Sequence, residues 1–276
     1  MATFRYVVAD VFTDVPLAGN QVAVFTDARE IPEEMLQLLA REMKLSETVF
    51  VYPPSAEGNV RVRIFTPALE LPFAGHPILG TAFVLAGPLQ LVEIRLECGA
   101  GVVPVRIERD GSRIVFGWMT QPPFSHEPYA DADALLALLG VESVSPVEAY
   151  LQGPGHVVVE LESPGAVAAL RPDFGALKEL NPHGTACIAK DGDSWKLRVF
   201  VPAHGIDEDP ATGSAAGPIA LHLARHGRTE FGQEIEIRQG AEIDRPSTLY
   251  AVARSDTEIE VGGQAVIVAR GEFRLP

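Results

Sequence analysis

The chain has 276 residues, of which 47% are hydrophobic and 21% charged, a composition typical of a globular protein with one large or two medium domains. Its net charge of −15, with no run of Lys and Arg, argues against nucleic acid or an anionic membrane as a partner. Two cysteines cannot build a disulfide framework, and no basic-apolar leader or long apolar stretch occurs, so we expect a cytoplasmic protein without a membrane span.

The predicted elements of the chain are mostly strands. Alternating apolar and polar side chains indicate half-buried strands, proline with acidic residues indicates a helix start, and Asp-Gly indicates a hairpin turn. In chain order these signals predict a helix from Pro32 to about Met43, a strand at 60–65, a helix at 77–86, a hairpin at 102–116, a helix capped by Asp131 or Asp133 that ends near Gly140, a strand at 195–200, a helix at 215–226 and a strand at 265–269. The helices at 77–86 and 215–226 are apolar nearly all round, so we expect both to be buried.

The chain repeats itself about half its length apart. Arg63-Ile64-Phe65-Thr66-Pro67-Ala68 returns as Arg198-Val199-Phe200-Val201-Pro202-Ala203, and Pro72-Phe73-Ala74-Gly75-His76 returns as Pro210-Ala211-Thr212-Gly213-Ser214. Two weaker matches, 18–24 with 154–159 and 93–99 with 234–240, keep the same order. This period is too long for a solenoid, so the pattern indicates a duplicated domain.

A strand-rich unit with one buried helix indicates a curved sheet wrapped around that helix. We therefore predict an α+β fold of two pseudo-symmetric domains, each a curved mixed sheet or barrel around a central helix. A proline-dense stretch at 120–128 separates the copies. The first domain is predicted at 1–122, the second at 129–262, and 263–276 is expected to form a strand that returns to the first domain.

The two Pro-x-x-Gly loops differ in the residue that follows glycine. His76 aligns with Ser214, and each stands at the predicted start of a buried helix, where the helix dipole favours an anion. Two such helix ends facing each other would bind a carboxylate or a developing enolate. The alternative is that Ser214 caps its helix and His76 is a surface residue.

Each copy has a carboxylate that the other lacks. Glu47 precedes a strand and has Gly184 as its counterpart, while Asp209 precedes Pro210 where the first copy has Leu71. Proton transfer needs one group that removes a proton and another that orients or returns it. The alternatives are a helix N-cap for Asp209 and a helix-end or exposed loop acid for Glu47.

No metal or cofactor site is expected. His222 and His226 share a helix face but lack a zinc-binding context, so a solvated helix end is the better interpretation. No dinucleotide, phosphate-loop or nucleophile-elbow motif occurs. Cys98 and Cys187 are expected to be buried residues of strands.

Several motifs in order resemble one known family. Asp10-Val11-Phe12-Thr13, Gly19-Asn20, Leu45-Ser46-Glu47-Thr48, the run from Arg63 through Gly75-His76-Pro77, and Asp209-Pro210-Ala211-Thr212-Gly213-Ser214-Ala215 are together similar to the PhzF-like family. The resemblance implies a diaminopimelate epimerase-like fold, an active site between two domains, a homodimer and chemistry without a cofactor. It also implies that Glu47 is the general acid/base. His76 and Asp209 would bind substrate and assist protonation, while Gly75, Gly213, Ser214 and Asn20 would bind the substrate, with its carboxylate held by the two loops.

The chain departs from the racemases of this fold because neither loop carries a cysteine, which excludes a two-thiol racemase. Gln21 also stands where the phenazine-type motif often has proline. We therefore predict a cofactor-independent isomerase that moves a proton on a small carboxylate-bearing substrate. The alternatives are a one-base epimerase or lyase and a non-catalytic small-molecule-binding protein, and the sequence does not identify the substrate.

Overall fold

The structure, a computed structural model, describes residues 2–151 and 155–275. The chain divides into two compact units, one formed by Met1–Pro122 with Gly262–Pro276 and the other by Pro123–Val261. Position 154, which opens the second copy of the 18–24 motif, lies outside the described residues. Within the described ranges no helix combines the length and the hydropathy needed to cross a membrane.

The first unit is a mixed sheet with two helices. Its elements before residue 122 are β1 (Ala2–Val11), β2 (Asn20–Phe25), α1 (Glu33–Met43), β3 (Glu47–Tyr52), β4 (Val60–Phe65), β5 (Glu70–Leu71), α2 (Gly75–Leu89), β6 (Glu93–Cys98), β7 (Gly101–Asp110) and β8 (Arg113–Thr120). Strand β1 is antiparallel to β2, β2 is parallel to β3, and β3 is antiparallel to β4. Strand β4 then pairs antiparallel with β5 and parallel with β6, and β6, β7 and β8 form an antiparallel meander.

The second unit repeats this order of pairings. Its elements are β9 (Ser125–Pro128), α3 (Ala132–Leu139), β10 (Glu148–Leu151), β11 (His156–Glu160), α4 (Pro164–Ala169), α5 (Phe174–Leu180), β12 (Gly184–Asp191), β13 (Ser194–Val201), β14 (Ile206–Asp209), α6 (Gly213–Arg225), β15 (Glu234–Gln239), β16 (Ser247–Ala253) and β17 (Ile259–Gly263), whose end passes the unit boundary. Strand β10 is antiparallel to β11, β11 is parallel to β12, and β12 is antiparallel to β13. Strand β13 pairs antiparallel with β14 and parallel with β15, which is antiparallel to β16. Strands β10 to β16 thus reproduce β1 to β7.

The last strand of the chain, β18 (Ala265–Leu275), belongs to the first unit. It runs antiparallel to β1 along the whole strand, from the pair Ala2 and Leu275 to the pair Val11 and Ala265. The sequence predicts a strand at 265–269 within a segment, 263–276, that is expected to return to the first domain, and the strand of the structure continues to Leu275. Pairing with β1 supplies the hydrogen bonds that extend the strand to Leu275.

The helices predicted to be buried are the centres of the two units. Helix α2 packs against β1, β2, β3, β6, β7, β8 and β18 of its own unit, and α6 packs against β11 and β16. Every residue of α6 from Gly213 to Ala224 is buried, and α2 is buried from Gly75 to Val84. Both helices begin two residues earlier than predicted, at the loop glycine itself.

The repeated Arg-x-Phe motif makes the same contacts in both units. Arg63 donates from Nε and Nη2 to the two oxygens of Glu70, at 2.7 and 2.6 Å, across β4 and β5. Arg198 does the same with Glu208, at 2.9 and 2.7 Å, across β13 and β14. Each guanidinium also lies over the ring of the phenylalanine two residues further on, 5.1 and 4.9 Å from its centroid. The sequence repeat therefore preserves a bidentate ion pair next to each loop.

Two short helices, α4 and α5, were not predicted from the sequence. Each has an N-cap whose side chain accepts a backbone hydrogen bond, Ser163 from Ala166 and Asp173 from Ala176. A serine and an aspartate followed by apolar residues are the cap signals that the sequence offers. The helices have six and seven residues, too short to show a helical period.

Candidate active site

Glu47, His76 and Asn20 meet inside the first unit. Glu47 opens β3, Asn20 opens β2 and His76 is the second residue of α2. The Glu47 Oε2 atom lies 3.0 Å from His76 Nε2, and the other ring nitrogen, Nδ1, lies 3.2 Å from Asn20 Nδ2. The side chains thus form a row from Asn20 through His76 to Glu47.

This row determines where the imidazole proton sits. The Asn20 amide nitrogen can only donate a hydrogen bond, so it requires a lone pair on His76 Nδ1. The proton of the neutral ring is then on Nε2, which lies 3.0 Å from Glu47 Oε2, although the two atoms do not have hydrogen-bond geometry. A carboxylate held at the end of such a row is a positioned proton acceptor.

Two alternative interpretations of these residues are wrong. His76 is not a surface residue, because it is 3% exposed. Glu47 is not an exposed loop acid or a helix-end acid, because it is a strand residue that is 9% exposed. The tight packing of α2 against its surrounding strands buries both.

Asp209 ends β14 in the second unit, and two side chains fix its position. The Thr212 hydroxyl donates to Asp209 Oδ2 at 2.6 Å. Gln239, from β15, donates from Nε2 to the Asp209 carbonyl at 2.7 Å and to Thr212 Oγ1 at 2.9 Å. The N-cap alternative for Asp209 is wrong, because α6 begins at Gly213 and its N-cap residue is Thr212, without a capping side-chain hydrogen bond.

Ser214 contacts a histidine that the sequence did not identify as a candidate. Its Oγ lies 2.9 Å from Nε2 of His156, the first residue of β11. Ser214 is the second residue of α6, so it is not the helix cap. The available signal was the match of Gly155-His156 with Gly19-Asn20, which places His156 opposite the candidate Asn20.

The loop glycines open the two central helices. Gly75 is the first residue of α2 and Gly213 the first residue of α6, and the side chains of their N-cap residues, Ala74 and Thr212, make no capping hydrogen bond. Backbone N–H groups and the helix dipole make such an end suited to an anion. The structure therefore gathers Glu47, His76, Asn20 and Gly75 in the first unit, and Asp209, Gly213 and Ser214 in the second.

The two cysteines lie outside both loops. Cys187 is fully buried in β12, and its burial raises the pKa of the thiol to about 12. Cys98 ends β6 and is half-buried rather than buried as expected, since the turn to Gly101 leaves its sulfur partly open. Burial raises its thiol pKa as well, so neither thiol is primed as a nucleophile.

The interpretation of His222 and His226 as a solvated helix end is wrong. His222 is fully buried, and both rings contact Glu148 of β10, His222 Nδ1 at 3.3 Å and His226 Nε2 at 3.0 Å from the same oxygen, Oε2. These ligand-type atoms lie within 4.8 Å of one another. Arg225 Nη1 also lies 2.8 Å from that oxygen and Tyr150 donates to it at 2.8 Å, so a guanidinium already neutralises the carboxylate. The arrangement is an ion-pair cluster that ties α6 to β10.

Two buried histidines predict a loss of stability in acid. Burial, reinforced by neighbouring His226, lowers the pKa of His222 to about 4. Burial, with His204 and His183 nearby, lowers the pKa of His156 to about 3. An unfolded histidine titrates near ~6.5, so below that pH the unfolded chain binds more protons than the folded chain does. Acid therefore favours the unfolded state. The contribution of His222 is complete above pH ~6.5, and about 3 kcal/mol of it is lost as the pH falls toward 4.

The measurement is the free energy of unfolding in urea at pH 8 and pH 5. We expect His222→Gln to reduce the difference between the two values, while His126→Gln, at an exposed histidine, leaves it unchanged. An unchanged pH dependence in the His222 variant would contradict the assignment. Titration of Glu148 does not contribute to the difference in unfolding free energy between pH 8 and pH 5. Burial raises its pKa, but hydrogen bonds from His226 and Tyr150 and the charge of Arg225 hold it at about 2, so it titrates below this window.

Comparison with known proteins agrees with the fold and with the motifs. The family model of PhzC-PhzF, the phenazine biosynthesis-like proteins, matches residues 9–271. The trans-2,3-dihydro-3-hydroxyanthranilate isomerase of Pseudomonas aeruginosa is 47% identical over 276 residues, which cover 98% of this chain and 99% of that protein. Among solved structures, a PhzF-family phenazine biosynthesis protein of Bacillus anthracis has a TM-score of 0.85 at 24% identity and covers 100% of both chains. A hydroxyproline epimerase of Agrobacterium vitis has a TM-score of 0.70 at 11% identity, covering 98% of this chain and 92% of that chain.

These likenesses confirm the predicted fold, which is the two-unit α+β fold of the PhzF proteins and the proline-type epimerases. The motifs and the match over nearly the whole chain then narrow the class to one family. This chain belongs to the PhzC-PhzF family and is an isomerase of the PhzF type.

Proposed function

We propose that the chain isomerises trans-2,3-dihydro-3-hydroxyanthranilate, or a closely related cyclic amino acid, by moving a proton without a cofactor. The observation that carries the proposal is the row Asn20, His76 and Glu47, which ends in a buried carboxylate 3.0 Å from an imidazole nitrogen. The 47% identity with the isomerase of Pseudomonas aeruginosa supports this substrate class.

Glu47 is the proton shuttle in this proposal. The carboxylate removes a proton from one ring carbon of the substrate and returns it to another, so the product has the composition of the substrate. His76 Nε2 lies 3.0 Å from the carboxylate and helps to position it.

Two helix N-termini and Asp209 hold the substrate in this proposal. The N-termini of α2 and α6, opened by Gly75 and Gly213, bind the carboxylate and the enolate-like charge. Asp209, fixed by Thr212 and Gln239, orients the substrate and assists the return of the proton. The proposal further takes the protein to be a cytoplasmic homodimer, as the family resemblance implies.

The test is the reaction itself. The purified protein is incubated with trans-2,3-dihydro-3-hydroxyanthranilate in D₂O, and the product is followed by NMR and mass spectrometry. We expect one solvent deuterium at the carbon that receives the proton, at a rate that does not change after treatment with chelators. Loss of water would indicate a lyase, inversion at one carbon would indicate an epimerase, and no turnover would contradict the proposal.

A further inference from the structure

Each unit contains the same pair of side chains in different chemical form. In the first unit the residue that opens β2, Asn20, contacts the second residue of α2, His76. In the second unit the residue that opens β11, His156, contacts the second residue of α6, Ser214. The strands and helices are equivalent in the order of pairings, so the pair is a device that joins the same two elements in each unit. The strand residues differ in register, because Gly184, the counterpart of Glu47, pairs with His156, whereas Glu47 pairs with Val22.

In the first unit the direction of the hydrogen bond between the two side chains is fixed. The strand residue Asn20 donates, and the helix residue His76 accepts at Nδ1 and presents its remaining hydrogen on Nε2. The helix residue therefore acts toward its surroundings as a hydrogen-bond donor. The question for the second unit is whether His156 also donates, since an imidazole nitrogen can do either.

The surroundings of His156 indicate which of its ring nitrogens carries the hydrogen. The residue is 2% exposed and stays neutral, because burial lowers its pKa to about 3. One ring nitrogen carries a hydrogen and the other a lone pair. Nδ1 has no hydrogen-bond partner among the described residues, and a Cβ placed on Gly184 would lie only 2.5 Å from it. Nδ1 thus occupies the space that a side chain at position 184 would fill, on the hydrogen side of the Gly184 Cα.

That contact suits a lone pair and not a hydrogen. A lone pair on Nδ1 makes a weak contact with the Cα–H of Gly184, whereas an N–H there would be a buried donor without an acceptor, which native structures rarely contain. The hydrogen of the ring is then on Nε2, 2.9 Å from Ser214 Oγ. Ser214 accepts this hydrogen bond, and its own hydroxyl hydrogen is directed elsewhere.

We propose that His156 is a positioning residue of the second unit, whose Nε2–H donates to Ser214 Oγ and turns the Ser214 hydroxyl into a donor to the substrate carboxylate. The proposal rests on the proposed function for the placement of Ser214 at the substrate. A hydroxyl that instead donated to His156 would present only lone pairs to an anion and would repel it. The device makes both helix residues, His76 and Ser214, donors.

Gly184 is part of the same device. It stands where the first unit has Glu47, and it pairs with His156 between the parallel strands β11 and β12. The absence of a side chain at Gly184 leaves the space that the His156 ring fills. One copy of the duplicated unit thus has the acid/base at this position, and the other has room for the ring that orients Ser214.

The first test is the protonation state of the ring, read by ¹⁵N NMR on histidine-labelled protein. We assign the signal with His156→Gln. We expect a protonated Nε2 and a bare Nδ1, unchanged between pH 8 and pH 5. A protonated Nδ1 would overturn the proposal, and this readout does not depend on any activity.

The second test measures binding of 3-hydroxyanthranilate, the aromatic relative of the proposed substrate, which has no proton to shuttle. We expect Ser214→Ala and His156→Leu each to weaken binding by about 10-fold, the value of one hydrogen bond to a charged group. His156→Gln, whose amide can still donate, should bind within about 3-fold of the wild type. The double variant should bind like Ser214→Ala, because His156 acts through Ser214.

Additive losses in the double variant, or no rescue by glutamine in a protein with unchanged thermal stability, would overturn the proposal. If the wild type turns over no substrate but this coupling and the tautomer are observed, the proposed reaction fails while the role of His156 stands. If the wild type does not bind 3-hydroxyanthranilate, benzoate replaces it in the same four measurements, and the tautomer remains decisive.

Discussion

Replacing Glu47 by glutamine is expected to lower kcat by about 10²- to 10⁴-fold, the usual contribution of a general acid/base. The substitution keeps the size of the side chain, and its carbonyl oxygen can still accept from His76 Nε2–H, so we expect KM to change little. The pattern of a lost kcat with a kept KM identifies an interaction made only in the transition state.

The measurements are steady-state turnover and deuterium incorporation from solvent. Glu42→Gln, which changes an exposed carboxylate on α1, is the matched control and should behave as the wild type. Deuterium exchange at the wild-type rate in the Glu47 variant would remove Glu47 from the mechanism. A binding protein without catalysis would instead show unchanged affinity and no turnover in either form.

Replacing Glu208 by glutamine is expected to cost about 3 kcal/mol of the free energy of unfolding, because it leaves the Arg198 charge buried without a counter-charge. The side chains of this pair are 5% and 8% exposed. The equivalent pair of the first unit, Arg63 with Glu70, is 22% and 41% exposed. The same substitution at Glu70 should therefore cost about 1 kcal/mol or less.

The duplication makes these two variants each other's control for residue type and bidentate geometry. Besides burial, the pairs differ in that Arg63 keeps a second carboxylate, Glu33, whereas Arg198 donates to the Leu170 carbonyl. Urea titration at pH 7 gives both free energies, and repetition in 1 M salt separates them further. Salt should weaken the contribution of Glu70 more than that of Glu208, because an exposed pair is screened and a buried one is not. Equal losses at the two positions would show that burial does not set the strength of this ion pair.

The sequence predicted most of what the two copies share. Arg63 and Arg198 lie in the longest repeat, and the structure shows why, since each forms a bidentate pair with the glutamate of the next strand. The apolar helices after the two loops were predicted to be buried and are. Such features are local and periodic, so a single chain reveals them.

The sequence was less informative where the copies differ. His156 stood opposite Asn20 in the alignment, yet its role depends on the space above Gly184, which comes from the register of β11 and β12. His222 was misread because its polarity suggests solvent, while the acid that holds it, Glu148, lies 74 residues earlier in the chain. Residues so distant in sequence come into contact only in the folded chain, and no local sequence pattern predicts such a contact.

The pairing of β1 with β18 has a consequence for how the protein is made. The first unit needs a strand that is synthesised after the whole second unit, since Ala2 pairs with Leu275, whereas the second unit is one continuous segment, Pro123–Val261. The second unit can therefore fold during synthesis, while the edge of β1 that later pairs with β18 still lacks its partner strand. Synthesis of β18, rather than emergence of the first 122 residues, is the event that allows the first unit to be completed. Closing so long a loop is slow compared with local folding, so we expect the β1–β18 ladder to form late.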